Sequence, residues 1–192
     1  MTLRCCAFSL LGAALLALGV ASPSALARET EASVFAGAHV DDNWPEVFRD
    51  PSGLDWRDTA LAGVTWGRSW PSADGSVRLG FEVQMAAHAG EQDHLELNLP
   101  VTLRWRMPRP LPVRSLAAGA GPSWASEVPR VEVLRKGDSA RLMLYWMLEA
   151  EFGPREAERS VFLRLHHRSN AYGLFAEAGG SNAVVLGLRR RW

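Results

Sequence analysis

The sequence predicts an all-β fold, an eight-stranded antiparallel transmembrane β-barrel. Three observations carry that reading. Apolar and polar residues alternate with period two in segments of about ten residues, as barrel strands facing lipid on one side require. The count of such segments is even, as in single-chain bacterial barrels. After residue 27 no apolar run approaches the ~20 residues of a transmembrane helix, and a closed barrel is the other way to satisfy every backbone polar group in a bilayer.

The alternation is sharpest from Leu95 to Trp105, where Leu95, Leu97, Leu99, Val101, Leu103 and Trp105 share one face and Glu96, Asn98, Thr102 and Arg104 the other. Ser76 to Ala87 sets Val77, Leu79, Phe81, Val83 and Met85 against Arg78, Glu82 and Gln84. Arg141 to Phe152 sets Leu142, Leu144, Trp146, Leu148, Ala150 and Phe152 against Arg141, Tyr145, Glu149 and Glu151. A helix would scatter these residues around its axis. The predicted strands are Ala32–Val40, Thr59–Trp70, Ser76–Ala87, His94–Met107, Ser115–Ser126, Ala140–Phe152, Arg159–Asn170 and Ser181–Trp192. Turn signals separate them, among them Pro71-Ser72-Ala73-Asp74-Gly75 and Pro108-Arg109-Pro110-Leu111-Pro112. Trp44 to Trp56 reads as a long first external loop resting on the membrane interface, where Trp is common. There is no internal repeat of the kind that builds a propeller or solenoid.

Residues 1–27 read as a cleaved signal peptide: Arg4 is the positive start, Cys5 to Val20 the apolar run and Ala25-Leu26-Ala27 the cleavage signature. Residues 28–192 then form one barrel domain. Cys5 and Cys6 leave with the signal, so the mature chain has no thiol, disulfide or cysteine metal site. With 21 Lys and Arg against 21 Asp and Glu, the charge balance speaks against a nucleic-acid partner. The chain ends on Trp192 with Val184, Leu186 and Leu188 in its parity, and a terminal aromatic on an amphipathic strand resembles the assembly signal of outer-membrane barrels. A soluble two-sheet sandwich would alternate similarly, and a small structural or adhesive barrel would share the fold without catalysis. Both stand as alternatives.

The segment Phe162 to Asn170 is where chemistry concentrates. His167 and Ser169 lie two apart, on one face of the seventh predicted strand, and can act as general base and nucleophile in acyl transfer. With both termini periplasmic, that strand runs outward. Its lipid-facing row Val161, Leu163, Leu165 ends in the polar pair at headgroup level, and Asn182 on the last strand shares their outward parity. His166, Arg164 and Arg168 have lumen parity, and His166 reads as structural. His39, His88 and His94 sit at predicted strand ends without metal-ligand spacing and read as solvated loop residues. No G-x-S-x-G elbow, P-loop, HExxH or dinucleotide fingerprint occurs.

His167-Arg168-Ser169-Asn170, a short loop and a final strand ending in an aromatic together resemble the PagL family of lipid A deacylases. A looser likeness extends through Gly121-Pro122-Ser123-Trp124-Ala125-Ser126-Glu127 and Leu144-Tyr145-Trp146-Met147-Leu148-Glu149. The resemblance implies an outer-membrane enzyme that hydrolyses the ester-linked 3-position acyl chain of lipid A, with Ser169 as nucleophile, His167 as its base and Asn170 helping to hold the oxyanion. It implies no metal and no organic cofactor. The expected partners are lipid A or lipopolysaccharide and the outer membrane itself, with a homodimer left open. The family's third catalytic residue is a glutamate where this chain has Ser181 beside Asn182. Asn182 is the first choice for that role and Glu177 the second, since Asn can orient a histidine. The family's glycine after Ser-Asn-Ala is Tyr172 here, so the second oxyanion donor is unassigned.

Overall fold

The computed structural model describes residues 28–109 and 111–192. The signal-peptide expectation for residues 1–27 lies outside the described residues. Nine strand segments follow one another: β1 (Glu29–Val40), β2 (Trp56–Pro71), β3 (Val77–Gly90), β4 (Leu95–Asn98), β5 (Val101–Arg106), β6 (Val113–Ala125), β7 (Leu142–Phe152), β8 (Arg159–Ser169) and β9 (Gly180–Arg191). Segments β4 and β5 are halves of one barrel strand, since both pair with β3 on one side and β6 on the other. Pro100 parts them because it has no N–H to give the ladder. Its carbonyl still accepts from Glu82 N–H (3.0 Å), and Leu99 N–H reaches Pro122 O (3.0 Å), so pairing resumes at once.

Each strand is antiparallel to its neighbours, and β1 pairs with β9 as well as β2, which closes eight strands into a barrel. The register is continuous along most seams, Ala38/Val40 and Val113/Ser115 being the shifts recorded. Eight predicted strands thus correspond to eight barrel strands, with ends moved by a few residues. Two short helices were not anticipated: α1 (Trp44–Arg49) in the first external loop and α2 (Arg130–Lys136) between β6 and β7. Helix α1 carries Pro45 and Glu46 in its first turn and Arg49 in its last, so charge and proline agree with the helix direction. Helix α2 stops at Gly137, whose φ of 86° is the left-handed cap that glycine adopts freely.

The wall decides between barrel and sandwich. Leu186 and Leu188 are 60 % and 61 % exposed, whereas Arg189, next to Leu188 and of the opposite parity, is 1 % exposed and points into the lumen. Apolar residues line the outside and charges the inside, the inverse of a water-soluble sheet pair. No described helix is long and apolar enough to cross a membrane.

The lumen is a packed core. Toward the end that carries the termini, Glu149 takes Arg104 (2.8 Å), Arg164 (2.7 Å) and Arg189 (2.6 Å), while Glu82, Glu151 and Glu31 take further bonds from the same arginines and Arg191. Phe162 lies between the Arg164 and Arg189 guanidinium groups, 5.0 and 4.7 Å from its ring centroid. Gly187 faces Phe162 across the β8–β9 seam, and a Cβ there would stand 2.2 Å from the ring, so only glycine admits it. From Phe162 an apolar cluster continues through Phe35, Leu61, Ala86, Ala183 and Val185.

The end of the lumen opposite the termini overturns one expectation. His39, His88 and His94 are buried there, not solvated in loops. Strand β3 runs to Gly90, past the expected Ala87, so His88 keeps the inward parity of Glu82, Gln84 and Ala86. His94 likewise continues the inward parity of Glu96 and Asn98.

The inverted wall yields a direct prediction. A photoreactive lipid-phase reagent is expected to modify Leu97, Val101 and Trp105 and to spare Glu96 and Arg104, read by mass spectrometry of the digested protein. Equal labelling of the two faces would be incompatible with this barrel.

Candidate active site

The candidate site forms where the outward rows of β7, β8 and β9 reach the rim opposite the termini. Strand register sets His167 beside Trp146 on one side and Asn182 on the other, and Ser169 beside Leu144 and Gly180. All share outward parity, so the site opens on the wall and not into the lumen.

His167 Nδ1 lies 2.5 Å from Asn182 Oδ1. The amide oxygen can only accept, so Nδ1 carries the proton and Nε2 is left with its lone pair. Asn182 is itself held, because its Nδ2 donates to Asp42 O (2.7 Å). The imidazole also rests on Trp146, with ring centroids 4.4 Å apart, and Trp44 from α1 meets Trp146 edge-on at 5.7 Å. Arg135 of α2 fastens the surround by donating to Asp41 O, Asp42 O and Gly180 O at 2.8, 2.8 and 3.1 Å. Burial pulls its guanidinium below the ordinary arginine range, and Asp41 and Asp42 oppose that.

Ser169 ends β8. Its Oγ accepts from Ala171 N–H (3.1 Å) in the turn that follows, and among the described residues no hydrogen bond joins it to His167. The turn is unusual: Ala171 and Tyr172 both have positive φ, 50° and 59°, ahead of Gly173. Left-handed backbone costs a non-glycine residue roughly 1–2 kcal/mol. Tyr172 thus keeps a conformation natural to glycine at the place where the resemblance expects one. Because its side chain is fully exposed, Tyr172→Gly is expected to leave the fold intact and raise the thermal unfolding midpoint slightly. A clear fall would mean that the ring, not the backbone, holds the turn.

The remaining sequence candidates separate. Asn170 Nδ2 donates to Ala176 O (3.4 Å) and Glu177 O (3.3 Å), so its amide braces the loop. Glu177 is exposed, and its recorded hydrogen bonds run through its backbone, to Asp138 Oδ2 (3.1 Å) and Asn170. Ser181, where the resemblance expects a glutamate, faces inward and donates to Glu132 Oε1 of α2 (2.9 Å). His166 faces the lumen as expected, bonded to Glu96 Oε1 (2.8 Å). Sequence reasoning passed over Trp44, Trp146 and Arg135. The outward parity of Trp146 was legible, but its partnership with His167 required the β7–β8 register. Nothing local placed Trp44 or Arg135.

A cleft of about 420 Å³ lies over these residues, bounded by Trp44, Leu144, Trp146, His167, Ser169 and Asn182. Lower on the wall, a second groove of about 500 Å³ runs between Val47 and Phe48 of α1 and the apolar row of Leu148, Leu163, Leu165 and Val184. Each of those four continues a strand row that begins in the cleft.

No family model and no curated protein matches this chain. Among solved structures it is similar to the crystal structure of the outer membrane enzyme PagL, with a TM-score of 0.53 and 18 % identity. The match covers 83 % of this chain and 98 % of that one. At that identity the likeness concerns the fold.

Proposed function

We propose that this chain is an outer-membrane serine esterase that removes an ester-linked acyl chain, of the 3-position type, from lipid A. The observation that carries the reading is the His167–Asn182 hydrogen bond at the lipid-facing rim, two residues from Ser169 and directly above an apolar groove. A base with its free nitrogen fixed, a neighbouring hydroxyl and a slot for a hydrocarbon chain are what deacylation of a membrane lipid requires.

In the proposed reaction, rotation about Ser169 χ1 releases Oγ from Ala171 N–H and turns it to His167 Nε2. Oγ attacks the ester carbonyl as Nε2 takes its proton. The tetrahedral intermediate collapses with cleavage of the bond to the sugar oxygen, His167 gives its proton to that departing oxygen, and the acyl chain remains on Ser169 until water releases it by the same route. The oxyanion would be met by backbone N–H groups of the Asn170–Gly173 turn, where each well-aimed donor is worth ~3–4 kcal/mol; Asn170 contributes by bracing that turn. The membrane holds the substrate beside the wall, so positioning needs no deep pocket.

Lipid A from cells with and without the protein, compared by mass spectrometry, tests the function: the expected product lacks one acyl chain. Identical profiles, together with no fatty acid released by the folded protein from lipid A in detergent, would leave only the non-catalytic barrel. The role of Asn182 is separately testable. Asn182→Ala is expected to lower turnover by about 10²-fold, the scale on which a misplaced catalytic group slows a reaction. Glu177→Ala should change it little. A reversed order would assign the orienting role to the loop glutamate.

A further inference from the structure

We propose that His88, His94 and Glu96 form a binding site for one divalent transition-metal ion, of the zinc type, inside the external end of the barrel. The proposal is independent of the esterase reading and concerns side chains on the opposite face of the wall.

The three residues belong to one hairpin. His88 lies near the end of β3, Glu96 is the second residue of β4 and His94 immediately precedes that strand, with His88 N–H donating to His94 O (2.9 Å) across the hairpin. All three point into the lumen and are buried. One ligand atom from each lies within 4.8 Å of the others. His88 Nε2 and Glu96 Oε2 already stand 3.1 Å apart. That is close to the separation of roughly 3.4 Å that two ligands keep when each is ~2.1 Å from a tetrahedral ion. His94 is the arm that must close. Its ring stacks on His88 at 4.2 Å, and its Nε2 is buried without a hydrogen-bond partner. Closing from the 4.8 Å bound to that ligand separation takes a shift of at most about 1.4 Å at this hairpin end.

The surroundings suit a cation. His39 Nε2 stands 3.2 Å from His88 Nδ1, Gln92 Nε2 is 3.1 Å from that same nitrogen, and His39 Nδ1 is another buried nitrogen with no partner. Buried polar atoms are nearly always paired, so a cluster of orphaned imidazole nitrogens around one carboxylate asks for an electrophile. Arg168, 3.9 Å from Glu96, has its own counter-ion in Glu132 at 3.0 Å and does not stand as an unpaired positive charge against the site. Mixed imidazole and carboxylate ligands favour zinc, copper or nickel over magnesium and calcium, which take oxygen. A bound ion would cross-link the β3–β4 hairpin and stiffen the lumen beneath the external rim.

The test uses untagged barrel folded in detergent, stripped with EDTA and titrated with zinc chloride by calorimetry, with magnesium chloride as comparison. One zinc per chain is expected, and no magnesium uptake. His94→Ala, with folding checked by its heat-dependent gel mobility, should bind zinc at least about tenfold more weakly. Zinc should also raise the temperature of the mobility shift in the parent protein and not in the variant. Absence of zinc uptake by the folded parent protein, or unchanged affinity in folded His94→Ala, overturns the site. Should that variant not fold, zinc absorption spectroscopy of the loaded parent protein decides: imidazole ligands support the site, and an all-oxygen shell refutes it.

Discussion

Under the proposed serine mechanism, Ser169→Ala, folded in detergent or lipid, is expected to lose deacylation by on the order of 10³-fold or more, and His167→Ala to lose nearly as much. Nucleophile and base act as one unit, so the double variant should be hardly slower than either single one. Both side chains sit on the outer rim, where neither contributes to the charged lumen, and the three variants should therefore assemble with normal gel mobility. His166→Ala is the internal control. Its ring points the other way, bonded to Glu96 and edge-on to Tyr145 at 4.7 Å, so it should keep most activity and lower the unfolding temperature. The readout is fatty acid released per folded protein. Parental turnover in folded Ser169→Ala would exclude the serine mechanism while leaving the barrel untouched.

The second large effect is on assembly. Glu149→Gln preserves shape but removes the charge on which Arg104, Arg164 and Arg189 converge. The arginines would keep Glu82, Glu31 and Glu151 as partners, at longer distances such as 3.5 Å for Arg189–Glu82 and 3.8 Å for Arg104–Glu31. Breaking a buried ion pair by removing one partner costs about 3–5 kcal/mol, a large part of a typical domain's stability. The variant should shift its mobility transition to clearly lower temperature or fail to fold. Arg109→Ala breaks a pair of comparable geometry, Arg109–Glu156 at 2.5 Å, but on two exposed side chains, and should scarcely move the transition. If the two variants behaved alike, the lumen network would not be what holds the barrel.

The two predictions draw on different amounts of sequence information. Ser169, His167 and Asn182 could be placed by parity alone. Side chains on a strand alternate strictly, so once Trp192 and Leu188 are set outward, Asn182 must be outward too, and the same count along β8 aligns His167 with Leu165. The convergence on Glu149 could not be read that way. Parity says that Arg104, Glu149, Arg164 and Arg189 all face the lumen, but not that they meet.

Chain-local information thus determined the strands, their even number and which face of each is apolar, because period-two alternation is a property of neighbours in sequence. Tertiary structure alone decided closure through the β1–β9 seam, the folding of α1 beside the wall, and the hydrogen bond between Asn182 and His167. It also gathered His39, His88, His94 and His166 at one end of the lumen, where sequence reading had left the first three in solvent. The physical reason is common to all of these. A side chain's direction is set by its own backbone, whereas its height and neighbours in a barrel depend on the tilt and stagger of every strand, which are fixed only when the sheet closes.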